Sequence, residues 1–245
     1  MKPRLRAIIA LSAVVALGVA SCSWSNEPTI PEDNIGFFLR TNLPCVRAEV
    51  NGSDATLIVA TALPRTAISS TLKGDLSSAR LLLGSTLFTR VKPLALDVGD
   101  LPADGLLGAD ALRGRIATID YFRGLLILSA WPKPRLDVTP WDFAGGPPRV
   151  PVTINGRETW AIVDTALPDT AVIPREFLGS ATGDRGRVDL RVAGVRFHDV
   201  DVSITPVVTP RLGNRVLSRF VVTIDYAREK VGLWPDPRTA GASQR

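Results

Sequence analysis

The chain has 245 residues, is 45% apolar and carries a formal charge of +5. That apolar content supports a sizeable core and excludes a disordered chain. One histidine and two cysteines are too few for a His-based triad, a zinc cluster or a disulfide framework, so neither metal nor other cofactor is expected.

The chain opens with Lys2, Arg4 and Arg6, followed by an uncharged apolar run from Ala7 to Ala20. The run is too short to cross a bilayer as a helix and suits the apolar segment of a signal peptide. It ends in Val19-Ala20-Ser21-Cys22, which resembles the lipobox of bacterial lipoproteins. That resemblance implies removal of residues 1–21, lipidation of Cys22 and anchoring in the cell envelope. Ser23, standing where Asp would favour inner-membrane retention, points to the outer membrane or its periplasmic face. The other reading is an ordinary secretory signal cut near Ser21. Loss of Lys2, Arg4 and Arg6 lowers the charge from +5 to about +2, and no run of Lys or Arg survives. No glycine-rich phosphate loop occurs either, so nucleic acid is not an expected partner.

Residues 22–35 read as a polar tether. Beyond it the chain repeats itself. Val50-Asn51-Gly52 returns as Ile154-Asn155-Gly156, and Ile58-Val59-Ala60-Thr61-Ala62-Leu63-Pro64 as Ile162-Val163-Asp164-Thr165-Ala166-Leu167-Pro168. Leu107-Gly108 returns as Leu212-Gly213, and Thr118-Ile119-Asp120-Tyr121 as Thr223-Ile224-Asp225-Tyr226. Anchors in one order at a nearly constant offset indicate duplication.

Each unit reads as β. Val46, Ala48 and Val50 alternate with Cys45, Arg47 and Glu49 in the period of a half-buried strand. Asn51-Gly52 and Asn155-Gly156 predict hairpin turns. Returning strands run from Thr56 and Trp160 straight into the 60–62 and 164–166 loops. Short helices are expected near Ala109 and Asn214. The units span 36–131 and 149–237. A Pro- and Gly-rich linker (132–148) joins them, and residues 238–245 read as a disordered tail.

Ile162-Val163-Asp164-Thr165-Ala166 is similar to the active-site loop of aspartic proteases: apolar residues, then Asp, Thr or Ser, and Gly. Leu212-Gly213-Asn214-Arg215 resembles the second signature, an apolar-Gly loop that starts a short helix, and Leu106-Leu107-Gly108-Ala109-Asp110 is its counterpart. The lobe size resembles the retropepsin branch. The resemblance implies an all-β fold of two retropepsin-like lobes related by an internal pseudo-twofold. It also implies a cleft for peptide or protein segments, with Asp164 as catalytic residue and Thr61 and Thr165 as a scaffold bonded across the lobes. Retropepsins usually build their site by homodimerisation, so a homodimer is also admitted.

The family's chemistry needs two carboxylates. Close together they share one proton; the ionised one takes a proton from water and the protonated one donates to the peptide carbonyl. This chain departs from the pattern in three places. Ala60 stands where lobe one needs Asp, Ala62 and Ala166 replace Gly, and Arg211 occupies the position of apolar Leu106. Without a like-charged neighbour, Asp164 is expected to be ionised at neutral pH. The gap between motif loop and Leu-Gly loop is short, so a reduced flap is expected over the cleft. Asp120 and Asp225 read as hairpin caps, and Asp104 and Asp110 as turn or helix-cap residues that also flank the Leu-Gly loop. Arg65 and Asp169, matched with opposite signs, suggest either a cross-lobe pair or two solvated charges. Two functions stay open: a pseudo-protease that binds peptide or protein segments, or an aspartic endopeptidase in which Asp164 borrows a second carboxylate from another loop or chain.

Overall fold

The computed structural model describes residues 32–236 except 73, 98, 131–139 and 179–182. The signal segment, Cys22 and the C-terminal tail lie outside the described residues. Lobe one runs β1 (Glu32–Arg40), β2 (Leu43–Val50), β3 (Ser53–Val59), β4 (Ala67–Ser69), β5 (Ala79–Leu83), β6 (Thr86–Val91), β7 (Leu94–Leu96), β8 (Gly105–Leu107), α1 (Ala109–Leu112), β9 (Ile116–Asp120) and β10 (Leu125–Ser129). Lobe two runs β11 (Trp141–Asp142), β12 (Arg149–Ile154), β13 (Arg157–Val163), β14 (Ala171–Ile173), β15 (Arg185–Val192), β16 (Val195–Ile204), β17 (Arg211–Leu212), α2 (Asn214–Leu217), β18 (Phe220–Asp225) and β19 (Lys230–Pro235).

The two units fold alike because their hydrophobic patterns are alike. β12 alternates half-buried Arg149, Pro151 and Thr153 with buried Val150, Val152 and Ile154, the signature of a strand with one face on a core. Lobe two closes into a barrel in the order β12-β13-β17-β14-β16-β15. Lobe one follows the same order, but Lys92-Pro93 splits the strand equivalent to β16 into β6 and β7, as expected where proline removes a ladder donor. Leu57, Leu81, Leu107 and Leu112 are all essentially inaccessible, each contributing roughly 1.5–3 kcal/mol of burial. Both Asn-Gly turns take the positive-φ pair that closes a tight hairpin: Asn51 φ 51°, Gly52 φ 83°, Asn155 φ 48° and Gly156 φ 80°.

A continuous sheet joins the lobes. Its order β1-β10-β9-β18-β19-β11 takes three strands from each repeat. At its centre β9 and β18 pair antiparallel, with Thr118 opposite Thr223. These are repeat-related residues, so the pseudo-twofold passes between them, and their hydroxyls lie 2.9 Å apart.

Two boundaries differ from the sequence reading. Residues 32–35, assigned to the tether, belong to β1. Glu32–Gly36 pair with Ser129–Leu125 of β10, and the rest of β1 turns onto β2. Within the 132–148 linker, Trp141 and Asp142 pair with Val231 and Lys230 of β19, and Phe143 is buried. In both cases the sheet edge supplies a distant partner that the polar local sequence does not announce.

Candidate functional site

The two motif loops emerge from β3 and β13 and meet on the axis. The same backbone frame holds each. Ala60 N–H donates to Leu107 O (2.9 Å) and Asp164 N–H to Leu212 O (3.0 Å). Ala109 N–H donates to Leu63 O (2.8 Å) and Asn214 N–H to Leu167 O (2.9 Å), so each Leu-Gly turn is tied to its motif loop. The approach is close enough to require glycine. A Cβ on Gly108 would sit 2.5 Å from the Arg65 carbonyl carbon, and one on Gly213 would enter the Asp169 carbonyl oxygen.

Thr61 and Thr165 are fully buried and bond reciprocally across the lobes. Thr61 N–H donates to Thr165 Oγ1 (3.1 Å) and Thr165 N–H to Thr61 Oγ1 (3.2 Å). Each hydroxyl then donates to the strand ahead of the opposite loop: Thr61 Oγ1 to Val163 O (2.7 Å), and Thr165 Oγ1 to Val59 O. The geometry is that of the scaffold implied by the resemblance.

A second cross-lobe layer joins residues outside the two motif loops to the loops themselves. Tyr226 of lobe two donates its hydroxyl to Thr61 O at 2.9 Å. Tyr121 of lobe one donates to Asn214 Oδ1 at 2.6 Å, and Asn214 Nδ2 donates to Thr165 O at 2.8 Å. Burial raises both phenols, and the nearby Asp164 charge adds to this at Tyr121, so both act as donors. The sequence signal was present: the tyrosines are repeat-related, and Asn214 replaces Ala109 where Tyr121 needs an acceptor.

Asp164 lies beneath this layer, its side chain only 9% exposed. Oδ1 accepts from Ala166 N–H at 3.1 Å, and Oδ2 lies 3.2 Å from the Arg211 guanidinium. Arg211 reaches it because β17 runs parallel to β13, pairing Arg211 with Ile162. Burial pushes the Asp164 carboxyl up, while Arg211 and the Ala166 N–H pull it down; burial dominates. The raising influence is burial rather than a like-charged neighbour, a cause that the sequence does not reveal. Across the axis the equivalent position is the buried methyl of Ala60.

The remaining carboxylates are engaged elsewhere. Asp110 Oδ1 accepts from Thr66 N–H, Thr66 Oγ1 and Ala111 N–H at 2.6–2.8 Å. Asp104 accepts from Thr56 N–H at 2.8 Å. Asp120 and Asp225 cap their turns through two backbone N–H groups each, at 3.0–3.1 Å. Arg65 donates to Lys92 O rather than to Asp169. Among the described residues no group of three His, Cys, Asp or Glu is placed to hold a metal.

Ala62 and Ala166 keep negative φ, so their methyl groups impose no left-handed strain. Ala166 instead extends an apolar patch of Phe38, Leu43, Cys45, Ile58, Ala103 and Leu106. Cys45 is fully buried there, and burial raises its thiol. The β5–β6 hairpin stops short of the cleft. β5 pairs with the far end of β2, Leu82 opposite Glu49, and its tip is pinned by Asp33, which accepts from Ser85 N–H (2.7 Å) and Thr86 Oγ1 (2.9 Å). The β1–β2 turn reaches across instead, where Asn42 Nδ2 donates to Pro168 O.

This arrangement of lobes and loops has a solved counterpart. An aspartic proteinase from Irpex lacteus superposes with a TM-score of 0.61 at 13% identity, covering 87% of this chain and 100% of that one. The fold is that of an aspartic proteinase. At this identity the likeness speaks for the fold alone. No protein-family model matches the chain, and no curated protein matches it in sequence.

Proposed function

We propose that this chain is a catalytically silent, retropepsin-like aspartic-protease homologue that binds peptide or protein segments and is held in a bacterial envelope through lipidated Cys22. One observation supports silence above the others: the group beside Asp164 is the Arg211 guanidinium at 3.2 Å, and the residue across the axis is Ala60. Peptide hydrolysis in this fold needs an ionised carboxylate as base and a protonated one as acid. A guanidinium does not give up its proton at working pH, so Arg211 cannot serve as the acid. General acid–base contributions are each worth about 10²–10⁴ in rate. The intact threonine scaffold and the apolar patch at the loops support a retained binding cleft.

The test is reconstruction. The natural chain is expected not to cleave unstructured protein substrates at any pH. The double variant Ala60→Asp/Arg211→Leu restores two facing carboxylates and an apolar neighbour. It is expected to cleave with an acid optimum and to be blocked by pepstatin-type inhibitors, and adding Asp164→Asn is expected to abolish the gain. Cleavage by the natural chain that Asp164→Asn destroys would overturn this reading in favour of an active endopeptidase. The anchor is tested separately. Mass spectrometry of the mature N-terminus is expected to find a lipid-modified Cys22, and an unmodified cysteine or another start site counts against it.

A further inference from the structure

The two walls of the cleft are related by the axis but differ in chemistry. On lobe one, Leu106 of β8 stands beside Ile58 of β3, and with half-buried Phe38 it forms an apolar surface that Ala166 of the lobe-two motif loop extends. On lobe two, the matching position carries Arg211 beside Ile162. Its ion pair is lopsided in exposure: Asp164 is 9% exposed and Arg211 40%. The cation is thus the accessible member of the pair and the anion the shielded one. Asp164 is the one partner of the Arg211 side chain among the described residues, and it engages a single amino group. A guanidinium carries five N–H donors in a planar fork suited to carboxylates, which leaves donors for a second acceptor.

We infer that the cleft selects peptides carrying a carboxylate, which Arg211 binds while a neighbouring apolar side chain packs against Phe38, Leu106 and Ala166. This rests on the proposed reading of the cleft as a peptide site. The carboxylate is either a chain terminus or an Asp or Glu side chain; the chemistry is the same, and the experiment separates the two. Asp164 opposes the ligand's charge and competes with it for the guanidinium, so neutralising Asp164 favours the ligand.

The experiment uses the full-length mature chain and three pools of fluorescent octapeptides rich in Leu, Phe and Val. The first pool has a free C-terminal carboxylate, the second is amidated and uncharged, and the third is amidated with one internal Glu. Polarisation titrations are expected to show the first or the third pool binding about tenfold or more tighter than the second, in line with a charge-assisted contact. Whichever pool binds names the source of the carboxylate. Arg211→Leu, which copies Leu106, is expected to erase the preference while keeping affinity for the neutral pool; Asp164→Asn is expected to tighten the carboxylate pools. Thermal melts check folding, and Arg211→Gln gives a second uncharged variant should Arg211→Leu fail to fold. Equal binding of all pools, or a preference that survives loss of the guanidinium, overturns the carboxylate inference and leaves the peptide site standing. Binding of no pool by any folded variant overturns the peptide site itself.

Discussion

Asp164 is held between a wall that disfavours its charge and an arginine that favours it, and the balance sets a sign that can be measured. Its folded-state carboxyl titrates above the ordinary value, with burial the larger cause. Such a group binds its proton more tightly folded than unfolded. The stability this brings is complete below the ordinary value of about 4 and is lost as pH rises through the raised one. Asp164→Asn is neutral throughout. Its melting temperature is expected to exceed the parent's at neutral pH and to converge with it in acid. Arg211→Leu removes a lowering influence, so it is expected to melt below the parent at neutral pH, with the gap closing in acid. Thermal melts across the acid-to-neutral range decide this; an Asp164→Asn protein that melts lower at neutral pH would show the ion pair outweighing the burial cost. Arg211 was visible in the sequence as a departure from Leu106. Its partner was not, because only the parallel pairing of β17 with β13 brings residue 211 to residue 164.

Among the elements, the two motif loops are bonded to each other as well as to their own lobes. Thr165→Val leaves the Thr61 N–H and the Val59 carbonyl without their partner in a site sealed from water. At roughly 1–3 kcal/mol for each of the two orphaned buried groups, a loss of about 2–6 kcal/mol is expected in chemical denaturation. A loss below 1 kcal/mol would mean that water replaces the hydroxyl. The loops, the Asn-Gly turns and the Leu-Gly helix starts were legible because each is a local signal repeated in register. The start of β1 and the strand at Trp141 were not. Glu32-Asp33-Asn34 and Trp141-Asp142 read as tether and linker, and only the ladders of β10 and β19 make them strands. The docking of the β5–β6 hairpin on Asp33 was not legible either, because it depends on a contact between residues far apart in the chain.

At the scale of the whole molecule, the central sheet makes the lobes one folding unit. β9 and β18 share five residue pairs, and the threonine and tyrosine layers bond across the same axis. Unfolding is expected as a single transition, with calorimetric and van't Hoff enthalpies equal and with intrinsic fluorescence and circular dichroism coincident. Two resolved transitions would show that each lobe stands alone. Fusion of the lobes has a further consequence for what selection can do with the fold. A symmetric dimer must carry every substitution twice, because one gene writes both halves. Once both halves lie in one polypeptide, a change on one side leaves the other untouched. Ala60 faces Asp164, Leu106 answers Arg211, and Ala109 lets Tyr226 bond directly where Asn214 must relay for Tyr121. Each of these pairs is forbidden to a homodimer. With both lobes in one polypeptide the two walls are free to differ, one carrying Ala60 and Leu106 and the other Asp164 and Arg211, while the threonine axis that holds them stays intact.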